Sequence, residues 1–475
     1  MFGSHSLLTW IVFVPLIGML AILLVPRGKE TWCKIINAVA QGIAFALTIV
    51  LTMQYYAGGD GGFDERFALT ASWIPQFKIN YAVGCDGLSV ILLLLTGLLS
   101  FLAVFTAWKI DKGVKGFHAM YCLLVTGMMG VFVSLDLFLF YVFWEIMLLP
   151  MYFLIGVWGG PRREYAAIKF FIYTLVGSVL MLLSMLAIYF HYQDVATPFS
   201  IPFLIASQPF GEPGQEVWQQ LVFWGFFIGF AIKIPMFPFH TWLPDAHVEA
   251  PTAISVILAG VLLKLGGYGL LRVNFSMFHY SVTEWINFIA ILGLINVIYG
   301  AFCAMAQTDF KKLVAYSSVS HMGYVLLGLA ALNQEAVNGA VFQMFNHGIS
   351  SAMMFMLVGV VYDRAHHRDL NGFGGLGLQM PRYLALSMVG FFAALGLPGL
   401  NGFISEFMVF IGAFKSPYFA HAKLITMLAS IGLVMTAGYI LWTMQRVYLG
   451  PLNEKYQDMK DVDGREMFTL VPLAL

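Results

Sequence analysis

Long apolar segments recur along this chain from one end to the other, and they constrain its fold more than any other feature. Thirteen of them are long enough to cross the hydrocarbon core of a bilayer as an α-helix, which needs about 20 apolar residues. They are 7–26, 35–56, 86–108, 117–135, 136–158, 166–191, 218–238, 251–273, 282–305, 311–331, 337–361, 383–414 and 421–445. The sequence therefore predicts an all-α polytopic membrane protein.

A fourteenth apolar run begins near Met467 and reaches Leu475, so we expect about 14 transmembrane helices, the last of them incomplete. No polar linker separates soluble domains, which predicts a single membrane domain over residues 1–475. Two connections between the segments are longer than the others. Residues 192–217 are polar and contain proline and glycine, whereas the pattern of residues 57–80 predicts a short hairpin on one membrane face. The hairpin region contains Gly58, Gly59, Gly61 and Gly62.

Composition supports a lipid environment and excludes several other classes. Hydrophobic residues make up 60% of the chain and charged residues 11%, whereas a soluble domain is about one quarter charged. A formal net charge of zero gives no reason to expect a nucleic-acid partner. Four widely spaced cysteines fit neither a disulfide framework nor a metal site. We therefore expect lipid as a partner, no nucleic acid and no metal.

Basic residues are distributed asymmetrically between the two sides of the predicted membrane domain. The connections after odd-numbered segments, with their flanks, hold 18 Lys and Arg residues, and the other side holds five. Lys and Arg are concentrated on the cytoplasmic side of membrane proteins. The odd-numbered connections are therefore predicted to face the cytoplasm, or the matrix in an organelle.

Six acidic, basic or histidine residues lie within the predicted apolar segments and away from their ends. A charge at the bilayer centre costs roughly 2.5–3.5 kcal/mol, so such residues are candidates for function. They are Glu145, Lys233, Lys264, His321, His347 and Glu406. Lys next to Glu can exchange partners, and histidine, with an ordinary pKa near 6.5, suits proton transfer. We predict that these residues form a proton-conducting line.

Structural roles for the same residues are the alternative. Glu145 and Lys233 are also compatible with a static salt bridge that holds two helices together. Glu406 is compatible with a helix cap, and the two histidines with neutral side chains bonded to serine or backbone groups.

Two predicted segments are interrupted near ionisable residues. The seventh has Pro235 and Pro238 after Lys233, and proline breaks a helix. The twelfth has a more disruptive run before Glu406, formed by Gly396, Pro398 and Gly399. The breaks lie five segments apart, which predicts two inverted five-helix repeats, residues 117–273 (segments 4–8) and 282–445 (segments 9–13). Two unrelated proline kinks are the alternative.

Several motifs resemble one membrane-protein family over nearly the whole chain from Asp86 onward. The longest stretch reads HTWLPDAHVEAPT from His240 and continues to LLKLGGYGLLR, which ends at Arg272. Shorter matches are FWE at 143–145, AQTDFKKL at 306–313, SSVSHMGY at 317–324 and GFISEF at 402–407. These motifs resemble the antiporter-like, proton-pumping subunits of respiratory complex I, NADH:quinone oxidoreductase. Glu406, where related chains usually carry lysine, favours the branch called chain M, or chain 4 in mitochondria.

The resemblance implies a fourteen-helix fold and a role for each buried residue. Glu145 would be the uptake-side carboxylate paired with Lys233, and Lys264 the central relay lysine. His321 and His347 would connect the half-channels, and Glu406 would face the exit.

The resemblance also implies partners and cofactors. FMN, iron–sulfur clusters and quinone would sit in partner subunits, because this chain has no motif for a redox cofactor. The partners would be other membrane-arm subunits, including paralogous antiporter-like chains, in a bacterial inner membrane or a mitochondrial inner membrane. Two other functions stay open at this stage: a subunit of a multisubunit cation/proton antiporter that redox chemistry does not drive, and a structural spacer.

Overall fold

The computed structural model describes residues 4–58 and 62–474, and helices account for most of them. The helices of the first half are α1 (Ser4–Leu24), α2 (Glu30–Gly58), α3 (Gly87–Thr106), α4 (Val114–Val133), α5 (Leu137–Ile146), α6 (Leu148–Trp158), α7 (Arg163–His191), α8 (Ile201–Ser207) and α9 (Glu216–Lys233). They are followed by α10 (Trp242–Glu249), α11 (Thr252–Ile257), α12 (Leu263–Gly269), α13 (His279–Met305), α14 (Phe310–Ala330) and α15 (Gln334–Ala365). The last are α16 (Leu376–Gln379), α17 (Pro381–Leu395), α18 (Asn401–Lys415), α19 (Ala422–Val447) and α20 (Gly464–Ala474).

Eleven helical stretches among the described residues are long and apolar enough to cross a membrane, and α17 is a shorter apolar helix. This confirms the predicted all-α membrane class. The predicted hairpin is also present, as antiparallel strands β1 (Leu69–Ile74) and β2 (Ile79–Val83). Gly59 and Gly61 of that connection lie outside the described residues. The polar connection 192–217 contains the short helix α8.

The chain forms two compact units. The first comprises Met1–Val104, Trp108–Ile234 and Val261–Glu284. Within it, α1 packs on α2 and α4, and α7 packs on α6 and α9. Glycine allows the last contact, because a Cβ atom on Gly177 would lie only 3.1 Å from the Cα atom of Gly229. The backbones of α7 and α9 therefore approach closely.

The second unit comprises Phe105–Ala107, Pro235–Gly260 and Trp285–Leu475. Its longest helix, α15, packs against α14, α17 and α18. A Cβ atom on Gly323 would lie 2.6 Å from the backbone nitrogen of Val297, so glycine is required where α14 meets α13.

Both predicted helix breaks are confirmed. The helix α9 ends at Lys233, and a single 3₁₀ turn, Phe239–Thr241, follows Pro235 and Pro238 before α10 begins. The twelfth segment divides into α17 and α18. Between them Gly396 and Gly399 have φ of +77° and +99°, a left-handed conformation that only glycine adopts without strain.

Two further interruptions differ from the prediction of continuous helices. The segment 136–158 breaks at Met147, because the ring of Pro150 excludes the carbonyl group of Ile146, four residues earlier, from helical bonding. In the eighth segment, π-helical turns at Leu258–Leu262 and Leu270–Phe275 flank α12. The backbone is therefore irregular next to Glu145 and on both sides of Lys264.

Asp136 fixes the start of α5. Its carboxylate accepts hydrogen bonds from the backbone N–H groups of Phe138 (2.9 Å), Leu139 (3.1 Å) and Asn80 (3.1 Å). Burial outweighs these bonds and raises the pKa of Asp136 to about 6.

Candidate functional site

Lys233 lies at the carboxyl end of α9 in an aromatic environment. The side chain is buried, and its Nζ lies 5.4 Å from the ring centroid of Trp144 and 5.6 Å from that of Phe170. Nζ makes no hydrogen bond to any residue that the structure describes. Ring faces and the negative end of the helix dipole therefore stabilise this cation, together with the charge of Glu145, which acts on it electrostatically.

Glu145 lies one residue before the end of α5. Hydroxyl groups of Ser178 on α7 and Tyr141 on α5 hydrogen-bond its carboxylate, whereas Oε1 has no partner among the described residues. The acid and the lysine thus interact through space, without a direct hydrogen bond at Nζ.

Lys264 is completely buried in α12. This helix contacts the end of α9 closely, because a Cβ atom on Gly266 would lie 2.7 Å from the backbone nitrogen of Ile234. One turn after the lysine, the hydroxyl of Tyr268 lies 3.2 Å from the carbonyl oxygen of Phe132, to which it donates. Arg272 donates to that hydroxyl at 3.2 Å through Nε, and it pairs with Asp86 at 2.7 Å through Nη2.

Aromatic rings connect the two lysine sites. Phe140 stacks on Trp144, with ring centroids 5.8 Å apart, and on Tyr268, at 6.5 Å. Phe230 meets Trp144 edge to face at 5.4 Å. One end of this ring cluster contacts Lys233, and the other belongs to the helix of Lys264.

The second unit brings together three of the predicted residues. Nδ1 of His321 on α14 lies 3.3 Å from Oε1 of Glu406 on α18, and both side chains are at most 4% exposed. The ring of His347 on α15 lies 5.4 Å from that of His321, centroid to centroid. Three titratable side chains from three helices therefore form one buried cluster.

Glu406 also borders the break between α17 and α18. With Gly396 it lines a cavity of about 340 Å³ whose other walls include Leu395, Phe403 and Phe407. The carboxylate therefore lies between the histidine cluster and a space beside the interrupted helix.

Comparison with known proteins identifies the family. Residues 134–447 match the model of the "NADH:quinone oxidoreductase/Mrp antiporter, TM" family. The chain belongs to this family. NADH-quinone oxidoreductase subunit M of Rhodobacter capsulatus is 40% identical, over 99% of this chain and 92% of the relative. An NAD(P)H-quinone oxidoreductase chain 4 of Nostoc sp. is 41% identical, over 98% of this chain and 86% of the relative.

Solved structures agree on the fold. A chain of respiratory complex I from Thermus thermophilus superimposes with a TM-score of 0.87 at 29% identity, covering 98% of this chain and 93% of that one. A chain of the Mrp complex from Dietzia sp. has a TM-score of 0.81 at 21% identity, covering 95% and 82%, and shows the likeness of fold alone. This member of the oxidoreductase/Mrp family is therefore a multi-pass inner-membrane protein of the complex I type.

Neutral polar residues complete the cluster in this family member, and sequence reasoning missed them. Gln343 Nε2 lies 3.4 Å from Nδ1 of His321, and the hydroxyl of Ser405 donates to Oε1 of Gln343 at 2.5 Å. Asn346 donates to the Ser405 hydroxyl at 3.1 Å. Helical spacing was the available signal, because Gln343 is one turn before His347 and Ser405 is next to Glu406.

The long motif that begins at His240 forms the short helix α10, and two cations from outside the motif hold its carboxyl end in place. Lys311 Nζ donates to the carbonyl oxygen of Ala250 at 2.5 Å, and Arg368 Nη1 donates to that of Val248 at 2.5 Å. Both cations lie at the negative, carboxyl end of α10, where they stabilise the helix dipole. Among residues 4–58 and 62–474, no group of three or more His, Cys, Asp or Glu side chains is arranged to hold a metal ion.

Proposed function

We propose that this chain is a proton-translocating subunit in the membrane arm of NADH:quinone oxidoreductase. Quinone reduction in partner subunits drives protons through a buried line in this chain, formed by Glu145, Lys233, Lys264, His321, His347 and Glu406. The observation that carries this proposal is the 3.3 Å contact of His321 with Glu406, two titratable groups buried at the level of an interrupted helix. Buried ionisable groups of this kind mark proton relays in membrane proteins.

The first step takes place at Glu145 and Lys233. Their electrostatic interaction includes no direct hydrogen bond at Nζ, so a small movement of α5 or α9 changes its energy. Moving Lys233 towards or away from Glu145 changes the field at Lys264, and with it the free energy of a proton on that lysine.

The second step delivers the proton to the histidine cluster and then to Glu406. His321 accepts the proton while its Nδ1 faces the carboxylate, which stabilises the imidazolium. Histidine is suited to this role because its two ring nitrogens can bind and release protons on opposite sides.

Redox chemistry belongs to other chains of the complex. FMN, iron–sulfur clusters and quinone sit in partner subunits, and this chain contributes protonatable side chains. Its partners are the other membrane-arm subunits, including paralogous antiporter-like chains. In this arrangement the residues 117–273 and 282–445 are inverted repeats, and Lys233 and Glu406 are counterparts next to equivalent helix breaks.

Replacing Lys264 in the assembled complex tests the relay. We expect Lys264→Met to lower the number of protons taken up per NADH oxidised by sealed vesicles, because methionine keeps the apolar stem and removes the proton-binding group. Lys423→Met, at an exposed position of α19, is the matched control and should leave the ratio unchanged. Pumping at the wild-type ratio in Lys264→Met would exclude the relay role.

An antiporter subunit that redox chemistry does not drive is the second candidate, because the family model covers both kinds of protein. Purification in mild detergent separates them: a complex I subunit co-elutes with flavin and iron–sulfur absorbance, and an antiporter subunit does not. A structural spacer is the third. If Glu145→Gln abolished assembly while assembled complexes kept full activity, the spacer role would be favoured.

A further inference from the structure

The helix α7 has two faces with different surroundings. Its inner face contributes Phe170 and Ser178 to the surroundings of Lys233 and Glu145. Its outer face carries a stripe in which residues recur every three or four positions. The stripe begins at Arg162, which caps the helix, and continues through the exposed Tyr165 and the half-buried Lys169 to the exposed Ile172, Val176 and Val179. Ile172 and Val176 are each 53% exposed in the isolated chain.

The cytoplasmic end of this stripe is cationic. The guanidinium carbon of Arg162 lies 5.1 Å from the ring centroid of Tyr165, and Nζ of Lys169 lies 5.6 Å from the same centroid. Arg163 follows directly, and Glu164 is the acidic residue next to these three cations. A surface cavity of about 500 Å³ is lined by Gly160, Pro161, Arg162, Arg163, Glu164 and Tyr165. The two guanidinium groups that line this cavity match the geometry and charge of a phosphate, and Lys169 adds a third cation on the same stripe of the helix.

We propose that the outer face of α7 binds one anionic phospholipid. Its phosphate lies against Arg162, Arg163 and Lys169, its glycerol region packs on Tyr165, and an acyl chain follows Ile172 and Val176. The dimensions agree: ten residues from Lys169 to Val179 rise about 15 Å in a helix, half of the roughly 30 Å hydrocarbon core.

Continuity of the two parts of the stripe favours a lipid over other occupants. A soluble phosphate would use the cations and leave the apolar residues below them without a function. A helix of a neighbouring subunit would cover the apolar residues but would need acidic groups of its own at the end of the stripe to match three cations. An anionic phospholipid satisfies both parts at once, and cytoplasmic-side basic clusters attract anionic lipids, about fivefold for each Lys or Arg near the surface. This proposal does not depend on the role of the chain in proton transfer.

Photo-crosslinking in the intact complex tests the proposal. p-Benzoylphenylalanine replaces Ile172, and the complex is reconstituted in phosphatidylcholine with one tenth phosphatidylglycerol. We expect phosphatidylglycerol adducts, identified by mass spectrometry, at least about fivefold above the share of that lipid in the bilayer. In Arg162→Gln/Lys169→Gln, which leaves Arg163 in place, the adducts should fall markedly towards that share. The same photoreactive residue at Ile291, an exposed apolar position of α13, is the control and should report the bulk share in both backgrounds.

Three outcomes would overturn the proposal. Adducts at the bulk share in the unsubstituted background would show that no anionic lipid is selected. Adducts to a protein chain would show that a neighbouring subunit covers the stripe. Loss of the enrichment in 10 mM inorganic phosphate at constant ionic strength would assign the cations to a soluble phosphate. If the double variant does not assemble, Arg162→Gln alone should lower the enrichment about fivefold, and Arg162→Lys should retain most of it.

Discussion

Removing the charge of Glu406 is the sharpest perturbation of the proposed line. In Glu406→Gln the side chain keeps its shape but no longer offers a carboxylate at 3.3 Å to Nδ1 of His321. At that separation, with an effective dielectric constant of about 20, the attraction between a carboxylate and an imidazolium is about 5 kcal/mol. A glutamine oxygen in its place restores about 1 kcal/mol as a neutral hydrogen-bond acceptor. The contact between Glu406 and His321 therefore weakens by about 4 kcal/mol whenever both groups of the wild-type pair are charged.

The assay compares NADH-driven proton uptake with NADH oxidation in sealed vesicles that contain the assembled complex. If protons leave this chain through His321 and Glu406, the Glu406→Gln variant should take up fewer protons per NADH. Glu406→Asp should retain part of the uptake, because the charge remains. Glu335→Gln is the matched control, since Glu335 is an exposed carboxylate in the first turn of α15.

Uptake at the wild-type ratio in Glu406→Gln would refute the reasoning, because the proposed line passes through this carboxylate and its contact with His321. Equal losses in Glu406→Gln and Glu335→Gln would also refute it, because they would assign the effect to assembly or surface charge.

Three further predictions follow from other contacts. Gln343→Leu removes the amide next to the histidine cluster at a cost of about 1–3 kcal/mol, so proton uptake per NADH should fall while complex yield stays within twofold. Gly266→Ala places a Cβ atom 2.7 Å from the backbone nitrogen of Ile234, so the unfolding temperature of the complex should fall, whereas Gly464→Ala, with open space around it, should leave it unchanged. The raised pKa of Asp136, about 6 against 3.8, makes its contribution to stability complete below about pH 4 and lost as pH rises through 6, by about 3 kcal/mol. Thermal unfolding from pH 4 to 7 should show this loss in the wild type and not in Asp136→Asn.

Sequence reasoning identified the features that carry a large energetic penalty. A charge in an apolar segment and a proline or glycine run in a predicted helix are both costly, so each stands out in a single sequence. For this reason the breaks after Lys233 and before Glu406 were predicted at the correct residues. The break at Met147 had the same kind of signal in Pro150, and its position follows from the i−4 carbonyl rule.

Features that carry no energetic cost in a single helix could not be predicted from the sequence. Gln343 and Ser405 are neutral polar residues, which are common in helices and acquire their importance only when α14, α15 and α18 meet. The π-helical turns around Lys264 have no residue that encodes them. They flank α12, the helix in which Gly266 approaches the end of α9.

The two units hold their charged residues in different ways, and this difference bears on the roles that we propose for them. Lys233 is stabilised by ring faces, worth about 0.5–2 kcal/mol each, and by a carboxylate that does not hydrogen-bond its Nζ. His321 and Glu406 are in direct contact and are supported by Gln343. A small helix movement therefore changes the energy of the Lys233 site more readily than it separates His321 from Glu406. We therefore expect quinone reduction in the partner subunits to act on the Glu145–Lys233 pair. The histidine cluster should then serve as a preformed proton acceptor.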